Sequence, residues 1–225
     1  MITRFSPSSL SVFRDCPRCF WWEQNKKVKR PRGIFPSLPG GIDRIMKAFV
    51  EECMTEGKPV PHLVNALEAK PFKDRPSVKR WQNWRTGLTA VVDCGEFGPV
   101  TLSGAIDDLL EWPDGSVSPW DYKTKASPPK EGDSERYYGS QLDIYHTLLQ
   151  YSGLQCTGKG YFTYLWPIAV LDGKSIAFDH QTITVDTDPK RAAQLAKDAI
   201  QCLHGEEPEE GGLCEYCVFL TARNG

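Results

Sequence analysis

The chain has 225 residues, of which 40% are hydrophobic and 25% are charged, and its formal net charge is −2. This length and composition support one hydrophobic core, or one core with a small appendage. No segment reaches the roughly 18 consecutive apolar residues of a membrane span, and the first residues lack the apolar core of a signal peptide. We therefore expect a cytoplasmic protein, and the near-neutral charge argues against non-specific coating of nucleic acid.

The N-terminal segment combines a helix-start signal with a pair of cysteines. Ser6 is the predicted N-cap, and Pro7 occupies the first turn. Cys16 and Cys19 follow in a C-x-x-C arrangement, and Cys214 and Cys217 form a second such pair. Without a secretion signal, this spacing favours metal binding over disulfides. Four such thiolates suit an iron–sulfur cluster or a structural zinc ion, and the alternative is four ordinary buried cysteines.

Basic residues are concentrated in two segments. Residues 26–33 form a basic loop, and residues 79–85 interleave basic and aromatic side chains on a predicted helix. Lysine and arginine neutralise phosphates, and tryptophan stacks on exposed bases, so both segments are candidates for contact with a single strand. The alternatives are a solvated loop and an amphipathic helix whose tryptophans face the core.

Residues 41–53 have the apolar spacing of a helix. Asp43 lies at the edge of the apolar stripe, which consists of Ile42, Ile45, Met46, Phe49, Val50 and Cys53. As a surface residue of the helix, Asp43 can pair with Lys47, four positions later.

A predicted meander of strands, at about residues 88–94, 100–111 and 116–124, contains the most informative acidic residues. If Asp114 is the centre of the turn between the last two strands, Asp107 and Asp121 face each other with Cβ atoms about 4.5–5.5 Å apart. Lys123 lies on the same face as Asp121 because strand side chains alternate. Opposed carboxylates repel each other, and a divalent cation removes this repulsion. The alternative is a hairpin with solvated charges.

The rest of the sequence completes an α/β pattern. Residues 136–149 have helical spacing and place Gln141 and Tyr145 on one helix face. Residues 160–166 and 175–178 are predicted strands, and residues 191–204 are a predicted last helix.

The combination of Asp107, Asp121-x-Lys123 and Gln141-x-x-x-Tyr145 resembles the PD-(D/E)xK nuclease superfamily, and more narrowly its RecB-type branch. That branch includes the nuclease domains of helicase–nucleases and CRISPR-associated RecB-like exonucleases. The resemblance implies a restriction-endonuclease-like core, with a mixed central sheet flanked by helices. It also implies that Asp107, Asp121 and the Tyr122 carbonyl hold Mg²⁺ or Mn²⁺. Lys123 would then serve the attacking water, and Gln141 and Tyr145 would contact the DNA strand.

RecB-type nucleases often carry an additional histidine ligand on the early helix, where this chain has no histidine, so Asp43 would take its place as a metal ligand. The alternative is that Asp43 is a surface residue paired with Lys47.

The termini extend the resemblance, because cluster-bearing members join an N-terminal cysteine to a C-terminal set around an iron–sulfur cluster. The resemblance therefore implies a [4Fe-4S] cluster on Cys16, Cys19, Cys214 and Cys217. This chain departs from the usual pattern of one N-terminal and three C-terminal cysteines, since Arg223 stands where the last ligand is expected. The departure leaves a structural Zn²⁺ as the alternative.

We therefore expect one RecB-type nuclease domain over residues 1–225, with residues 1–35 and 200–225 forming the cysteine metal-binding portion. The expected activity is metal-dependent hydrolysis of DNA, by an exonuclease that acts on single strands or free ends. One alternative is a catalytically silent DNA-binding or assembly module with a structural cysteine site. Another is a zinc-stabilised interaction protein, which would not depend on the carboxylates.

Overall fold

The computed structural model describes residues 3–31, 33, 37–60, 68–209 and 214–218. The chain divides into two compact units. The terminal unit comprises Met1–Phe35, Thr89–Ser103 and Pro189–Gly225, and the central unit comprises Pro36–Leu88 and Gly104–Asp188. Both terminal ranges that the sequence assigns to the cysteine portion belong to the terminal unit, although Arg223 lies outside the described residues. In the described ranges, no helix is long and apolar enough to cross a membrane.

The described helices and strands follow one another in a mixed order along the chain. The helices are α1 (Pro7–Asp15), α2 (Pro17–Trp21), α3 (Ser37–Glu56), α4 (Arg75–Trp81), α5 (Asp133–Tyr151) and α6 (Pro189–His204). The strands are β1 (Arg4–Phe5), β2 (Lys70–Pro71), β3 (Leu88–Asp93), β4 (Pro99–Gly104), β5 (Asp108–Glu111), β6 (Val117–Thr124), β7 (Lys159–Leu171) and β8 (Ser175–Asp186).

In the terminal unit, helix α1 begins as its sequence predicts. The Ser6 hydroxyl accepts a hydrogen bond from the Ser9 amide at 3.2 Å, and the Ser6 amide donates to the Ser9 hydroxyl at 2.8 Å. This capping box satisfies two amides that the first helical turn leaves without partners. Helix α2 continues into a π-helical turn at Trp22–Lys26, and both α1 and α2 pack against α6.

The predicted meander is wrong, because its strands belong to two different sheets. Strands β1, β4 and β3 form one sheet in that order, whereas β5 and β6 belong to a second sheet. The chain leaves the first sheet at Gly104, and the Ile106 amide then donates to the Trp81 carbonyl at 3.2 Å. A Cβ atom on Gly87 would lie 2.4 Å from the Gly104 carbonyl oxygen. This close approach of two backbone segments requires glycine and accompanies the interruption of the predicted strand.

The central unit is built on a mixed five-stranded sheet in the order β2-β5-β6-β7-β8. Strands β6 and β7 are parallel, and the other neighbours are antiparallel. On one face of β6, Trp120 and Tyr122 pack in a cluster with Met46 and Val50 of α3. The alternating residues of β6 project to the opposite face, against which α5 packs. The predicted mixed sheet with flanking helices is confirmed.

Helix α3 follows the predicted apolar stripe with one exception. Met46, Val50 and Cys53 are buried, and Ile42 and Phe49 are partly buried against the same cluster. Ile45, which the helical spacing assigns to the stripe, is 68% exposed. The prediction is wrong for Ile45, because a stripe inferred from spacing is wider than the surface that the sheet covers.

Strand β5 carries a buried ion pair next to the acidic residues that the sequence singles out. Asp108 is fully buried, and the Arg75 guanidinium donates to its two carboxylate oxygens at 2.7 and 2.8 Å. The same guanidinium donates to Glu51 at 2.8 Å. Burial raises the pKa of the Asp108 carboxyl, and the charge and hydrogen bonds of Arg75 oppose this rise.

We expect Arg75→Ala to lower the free energy of unfolding by about 3–5 kcal/mol, because it leaves the Asp108 carboxylate buried without its partner. Urea denaturation of the purified variant measures this loss. The matched control is Lys73→Ala, which removes a lysine that is 80% exposed and pairs with Glu111. We expect this change to cost at most about 1 kcal/mol. Equal losses in the two variants would contradict the structural role of the Arg75–Asp108 pair.

Strands β7 and β8 extend beyond the sheet as a two-stranded arm. Pairing of β7 with β6 ends at Leu165, whereas pairing with β8 continues to Leu171 and Ser175. Several apolar side chains of this arm are exposed: Ile168, Val170, Leu171, Ile176 and Phe178. The sequence predicts both strands but only residues 160–166 and 175–178 of them, because exposed apolar residues give no alternating pattern.

Candidate active site

The two predicted aspartates meet at the end of the β5–β6 hairpin. The pairing runs from Glu111 opposite Val117 to Asp108 opposite Trp120, and one further step places Asp107 opposite Asp121. The predicted register is therefore confirmed, although Asp107 precedes β5 instead of lying within it. The Gln82 side-chain amide donates to the Asp107 carbonyl at 2.7 Å. The residues just after α4 thus fix the backbone that carries this carboxylate.

Helix α5 completes the arrangement around Asp121. The Gln141 amide nitrogen donates to Asp121 Oδ1 at 2.7 Å and to the Tyr145 hydroxyl at 2.9 Å. Lys123 Nζ donates to Gln141 Oε1 at 3.2 Å and forms an ion pair with Asp121 Oδ2. The same ammonium lies 4.9 Å from the centre of the Tyr138 ring. These contacts place the predicted residues Asp121, Lys123, Gln141 and Tyr145 in one connected group.

Tyr145 is more buried than a residue that touches a substrate needs to be. Its side chain is 5% exposed, and its hydroxyl accepts the hydrogen bond from Gln141. In this structure Tyr145 therefore holds Gln141 in position. Its predicted contact with the DNA strand stays a prediction.

The Asp121 carboxyl lies in an environment that favours binding of a cation or a proton. Its side chain is fully buried, and burial together with the nearby charge of Asp107 raises its pKa to about 8, although Lys123 opposes the rise. Oδ2 is buried and, in the described part of the chain, has no hydrogen-bond donor besides its ion-pair contact with Lys123. A hard divalent cation satisfies such an oxygen and needs only one or two carboxylates. Asp107 and Asp121 therefore fit the predicted Mg²⁺ or Mn²⁺ site.

Asp43 and Lys47 add a second group of charges from helix α3. Lys47 Nζ lies 2.9 Å from Asp43 Oδ2 and 2.7 Å from Asp107 Oδ1. The ion pair between Asp43 and Lys47, which the sequence offered as the alternative to metal binding by Asp43, is thus present in the structure. In the described ranges, Asp43, Asp107 and Asp121 do not bring three ligand oxygens within 4.8 Å of one another. Metal binding by Asp43 stays a prediction, and the contact of Lys47 with Asp107 was not part of either interpretation of Asp43.

A separate candidate metal centre lies in the terminal unit. The thiols of Cys16, Cys19, Cys214 and Cys217 all lie within 4.8 Å of one another. Cys16 Sγ is 3.7 Å from Cys217 Sγ, and Cys19 Sγ is 3.6 Å from Cys214 Sγ. The convergence of both C-x-x-C pairs, which the sequence predicts, is thus present in the structure. The four thiols can hold a metal.

The spacing of the thiols bears on which metal fits. Four thiolates about 2.3 Å from one tetrahedral zinc ion lie about 3.8 Å apart, close to the separations in this structure. A four-iron cluster places iron and sulfide between the thiolates, so it requires them to move apart. Burial alone would raise the pKa of the Cys16 thiol, but the Cys19 backbone amide and the neighbouring thiols lower it to about 7. A thiol with this pKa is readily available as a thiolate ligand.

The basic loop contributes to this centre. Arg30 donates to Cys214 Sγ at 3.6 Å and pairs with Asp15, and its guanidinium lies 4.8 Å from the centre of the Tyr216 ring. Its side chain is only 18% exposed. Phosphate contact by the Arg30 side chain is therefore not supported. Arg32, in the same loop, lies outside the described residues.

The second basic segment is only partly helical. Helix α4 ends at Trp81, whose half-buried ring stacks on Phe72 with ring centres 6.3 Å apart. Trp84 lies beyond the helix and is 76% exposed, with the Arg85 guanidinium 4.8 Å from its ring centre. The alternative that these tryptophans face the core is therefore correct in part for Trp81 and wrong for Trp84.

Comparison with known protein families identifies the superfamily to which the fold and the acidic site belong. The sequence matches the PD-(D/E)XK nuclease superfamily over residues 4–222, which include both candidate metal sites. The chain belongs to the PD-(D/E)XK nuclease superfamily. Comparison with curated proteins gave no significant match.

Comparison with solved structures found a protein of similar fold. The protein described as "Crystal structure of SSO0001" matches with a TM-score of 0.50 and 19% sequence identity. The alignment covers 97% of this chain and 84% of that chain. At this identity, the match is informative about the fold alone. Members of the PD-(D/E)XK superfamily are generally metal-dependent nucleases, in agreement with the donor set of Asp107 and Asp121.

Several residues of this PD-(D/E)XK site were not identified from the sequence. Gln82 holds the Asp107 backbone, Lys47 neutralises Asp107, and Arg75 neutralises the adjacent Asp108. A lysine or arginine that pairs with an acidic residue far away in the sequence leaves no local sequence pattern by which the pair can be predicted. The four-residue spacing indicated that Lys47 could pair with Asp43, but not that it contacts Asp107.

Proposed function

We propose that this PD-(D/E)XK protein is a RecB-type, Mg²⁺- or Mn²⁺-dependent deoxyribonuclease that acts on single-stranded DNA or on DNA ends. The connected group of Asp121, Lys123, Gln141 and Tyr145 opposite Asp107 is the observation that supports this function. The hydrogen bonds of Gln141 to Asp121, Tyr145 and Lys123 hold these groups together beside Asp107, as metal-dependent hydrolysis requires.

The roles of the residues follow from their contacts. Asp107, Asp121 and the Tyr122 carbonyl would hold the divalent cation. A bound cation of this kind polarises the phosphodiester and lowers the pKa of a water molecule. Lys123 lies on the same side of β6 as Asp121, so its ammonium can orient the attacking water and neutralise the charge that develops on the phosphate.

Gln141 connects the cation site to the substrate in this proposal. Its amide nitrogen serves Asp121 and Tyr145, and its oxygen accepts from Lys123. This arrangement fixes both the carboxylate and the ammonium relative to helix α5. A strand entering the site would meet Gln141 first, since Tyr145 lies beneath it and is buried.

The preference for single strands rests on Trp84 and Arg85. An exposed tryptophan ring next to a guanidinium can stack on an unpaired base while the cation approaches a phosphate. A duplex keeps its bases stacked on one another and offers no such face. Trp84 also follows closely after Gln82, which holds the Asp107 backbone.

We expect Trp84→Ala to weaken binding of single-stranded DNA by about 1–3 kcal/mol, or roughly 5- to 150-fold. Fluorescence anisotropy with a labelled oligonucleotide, in buffer without a divalent cation, measures the change without cleavage. Tyr151→Ala is the matched control, because Tyr151 is 61% exposed on the same unit but lies at the far end of α5. Equal affinity of the Trp84 variant and the parent protein would remove Trp84 from the proposed DNA path.

The cysteine centre would have a structural role in the same protein. It joins α2 to the segment that carries Cys214 and Cys217, and none of the residues proposed for hydrolysis belongs to the terminal unit. We propose a [4Fe-4S] cluster on the basis of the family resemblance. Zn²⁺ is the alternative, and the thiol spacing in the structure favours it.

Incubation with end-labelled single- and double-stranded DNA, with and without Mn²⁺, tests the proposed activity directly. We expect Mn²⁺-dependent shortening of single strands and loss of this activity in the Asp121→Asn variant. A protein that binds these oligonucleotides but leaves them intact in Mn²⁺ would instead be the silent DNA-binding module.

A further inference from the structure

The Lys47 ammonium contacts Asp107, one of the two carboxylates proposed to hold the divalent cation. This ammonium lies between Asp43 Oδ2, at 2.9 Å, and Asp107 Oδ1, at 2.7 Å. The Lys47 side chain is 21% exposed. One carboxylate oxygen of a proposed metal ligand is therefore already occupied by a cation that the chain itself supplies.

The Lys47 ammonium is anchored from both sides. Lys47 follows Met46, which is buried in the cluster beneath β6, so its backbone belongs to the packed part of helix α3. On the other side, the Asp107 backbone is held by Gln82. The Lys47 ammonium forms ion pairs with both carboxylates, and Asp43 is four positions earlier on the same helix.

A divalent cation that bridged Asp43 and Asp107 would compete directly with this ammonium. Mg²⁺ binds oxygen at about 2.0–2.1 Å, so an ion held by the same two oxygens would overlap with the Lys47 nitrogen. The positive charges would also repel each other at this distance. The other oxygen of Asp107 lies outside this contact, and Asp121 Oδ2 pairs with Lys123 and not with Lys47.

We propose that the Lys47 ammonium serves as a built-in cation in the space between Asp43 and Asp107, and thereby limits the site to one divalent ion shared by Asp107 and Asp121. This inference rests on the proposed function, because it requires that ion to bind. Asp43 then acts as the residue that holds Lys47 and binds metal only when the lysine is removed. Lys47 is a positioning residue for Asp107 and the determinant of metal stoichiometry.

The test is titration of the purified protein with Mn²⁺ in an isothermal calorimeter, without DNA. The protein carries its cysteine metal throughout, and the carboxylate sites are counted as Mn²⁺ bound in addition. We expect one Mn²⁺ per chain in the parent protein and in Lys47→Arg, which keeps the charge. Lys47→Met removes the charge at similar length, so we expect it to bind two ions and to show the electron paramagnetic resonance signal of a spin-coupled Mn²⁺ pair.

Two further variants make the outcome decisive. Lys47→Gln replaces Lys47→Met if the latter does not fold, as judged by circular dichroism, and the double variant Asp43→Asn with Lys47→Met should return to one ion. Two ions in the parent protein, or one ion in both uncharged Lys47 variants, would overturn the role of Lys47 and leave the proposed nuclease function standing. No bound Mn²⁺ in the parent protein, with Asp121→Asn indistinguishable from it, would overturn both proposals.

Discussion

Asp121→Asn is expected to lower the rate of Mn²⁺-dependent DNA cleavage by at least about a hundredfold, the loss typical when a single stabilising group is removed from an active site. The substitution keeps the shape of the side chain but removes the charge that a divalent cation requires. Burial and the charge of Asp107 raise the pKa of Asp121, so both oppose its charged form in the metal-free protein. Asparagine lacks this charge, and we expect unchanged stability without metal.

Lys123→Ala should cause a loss of similar size, about 100- to 1,000-fold, because it removes the ammonium that faces the attacking water. Single-turnover cleavage of a labelled oligonucleotide measures both variants. Asp179→Asn, an exposed aspartate on β8, is the matched control and should cleave at the parent rate. Parent-like cleavage by either the Asp121 or the Lys123 variant would show that the chemistry lies elsewhere.

Removal of the cysteine centre is expected to have the largest effect on stability. A metal that joins Cys19 to Cys214 links positions 195 residues apart in the sequence. By the loop-entropy relation developed for disulfides, a cross-link over so long a loop contributes about 5 kcal/mol. We therefore expect Cys16→Ser combined with Cys217→Ser to lose the metal and most of this stabilisation. Metal analysis and urea denaturation measure the two effects.

Analysis of the purified parent protein also identifies the metal. Brown protein with iron and sulfide after anaerobic purification would support the cluster, and colourless protein with one zinc per chain would support the tetrahedral alternative. Cys202→Ser is the matched control, since Cys202 is half-buried in the terminal unit but is not one of the four converging thiols. A parent protein without either metal, and with unchanged stability in the double variant, would exclude a shared site.

The acidic site was predictable from the sequence because its parts are linked by short-range geometry. The turn centred on Asp114 sets the register of β5 and β6, and that register places Asp107 opposite Asp121. Alternation along β6 then places Lys123 beside Asp121. The four-residue spacing of Gln141 and Tyr145 places both side chains on one face of helix α5. Each step needs only local backbone rules.

The residues that neutralise this site were not predictable, because their contacts join distant parts of the chain. Lys47 reaches Asp107 across 60 positions, and Arg75 reaches Asp108 across 33. Nothing in the local sequence distinguishes these cations from solvated ones on an exposed helix face. The break between β4 and β5 was missed for a related reason. The sequence pattern that predicts a strand continues through Gly104 and Asp107. The close approach of Gly87 to the Gly104 backbone is a tertiary contact, which this pattern does not reveal.

The cysteine pairs also impose an order on biosynthesis. The ribosome produces Cys16 and Cys19 first, then all of the central unit, and only afterwards the thiols of Cys214 and Cys217 that complete the centre. The central unit can therefore fold on the emerging chain, whereas the terminal unit waits for the segment that carries the second cysteine pair. Until then, the early thiols lack two of the four ligands of a shared site. A metal that needs all four thiols can be inserted only after both pairs have been translated, so cellular metal supply would act on the terminal unit after the central unit has been made.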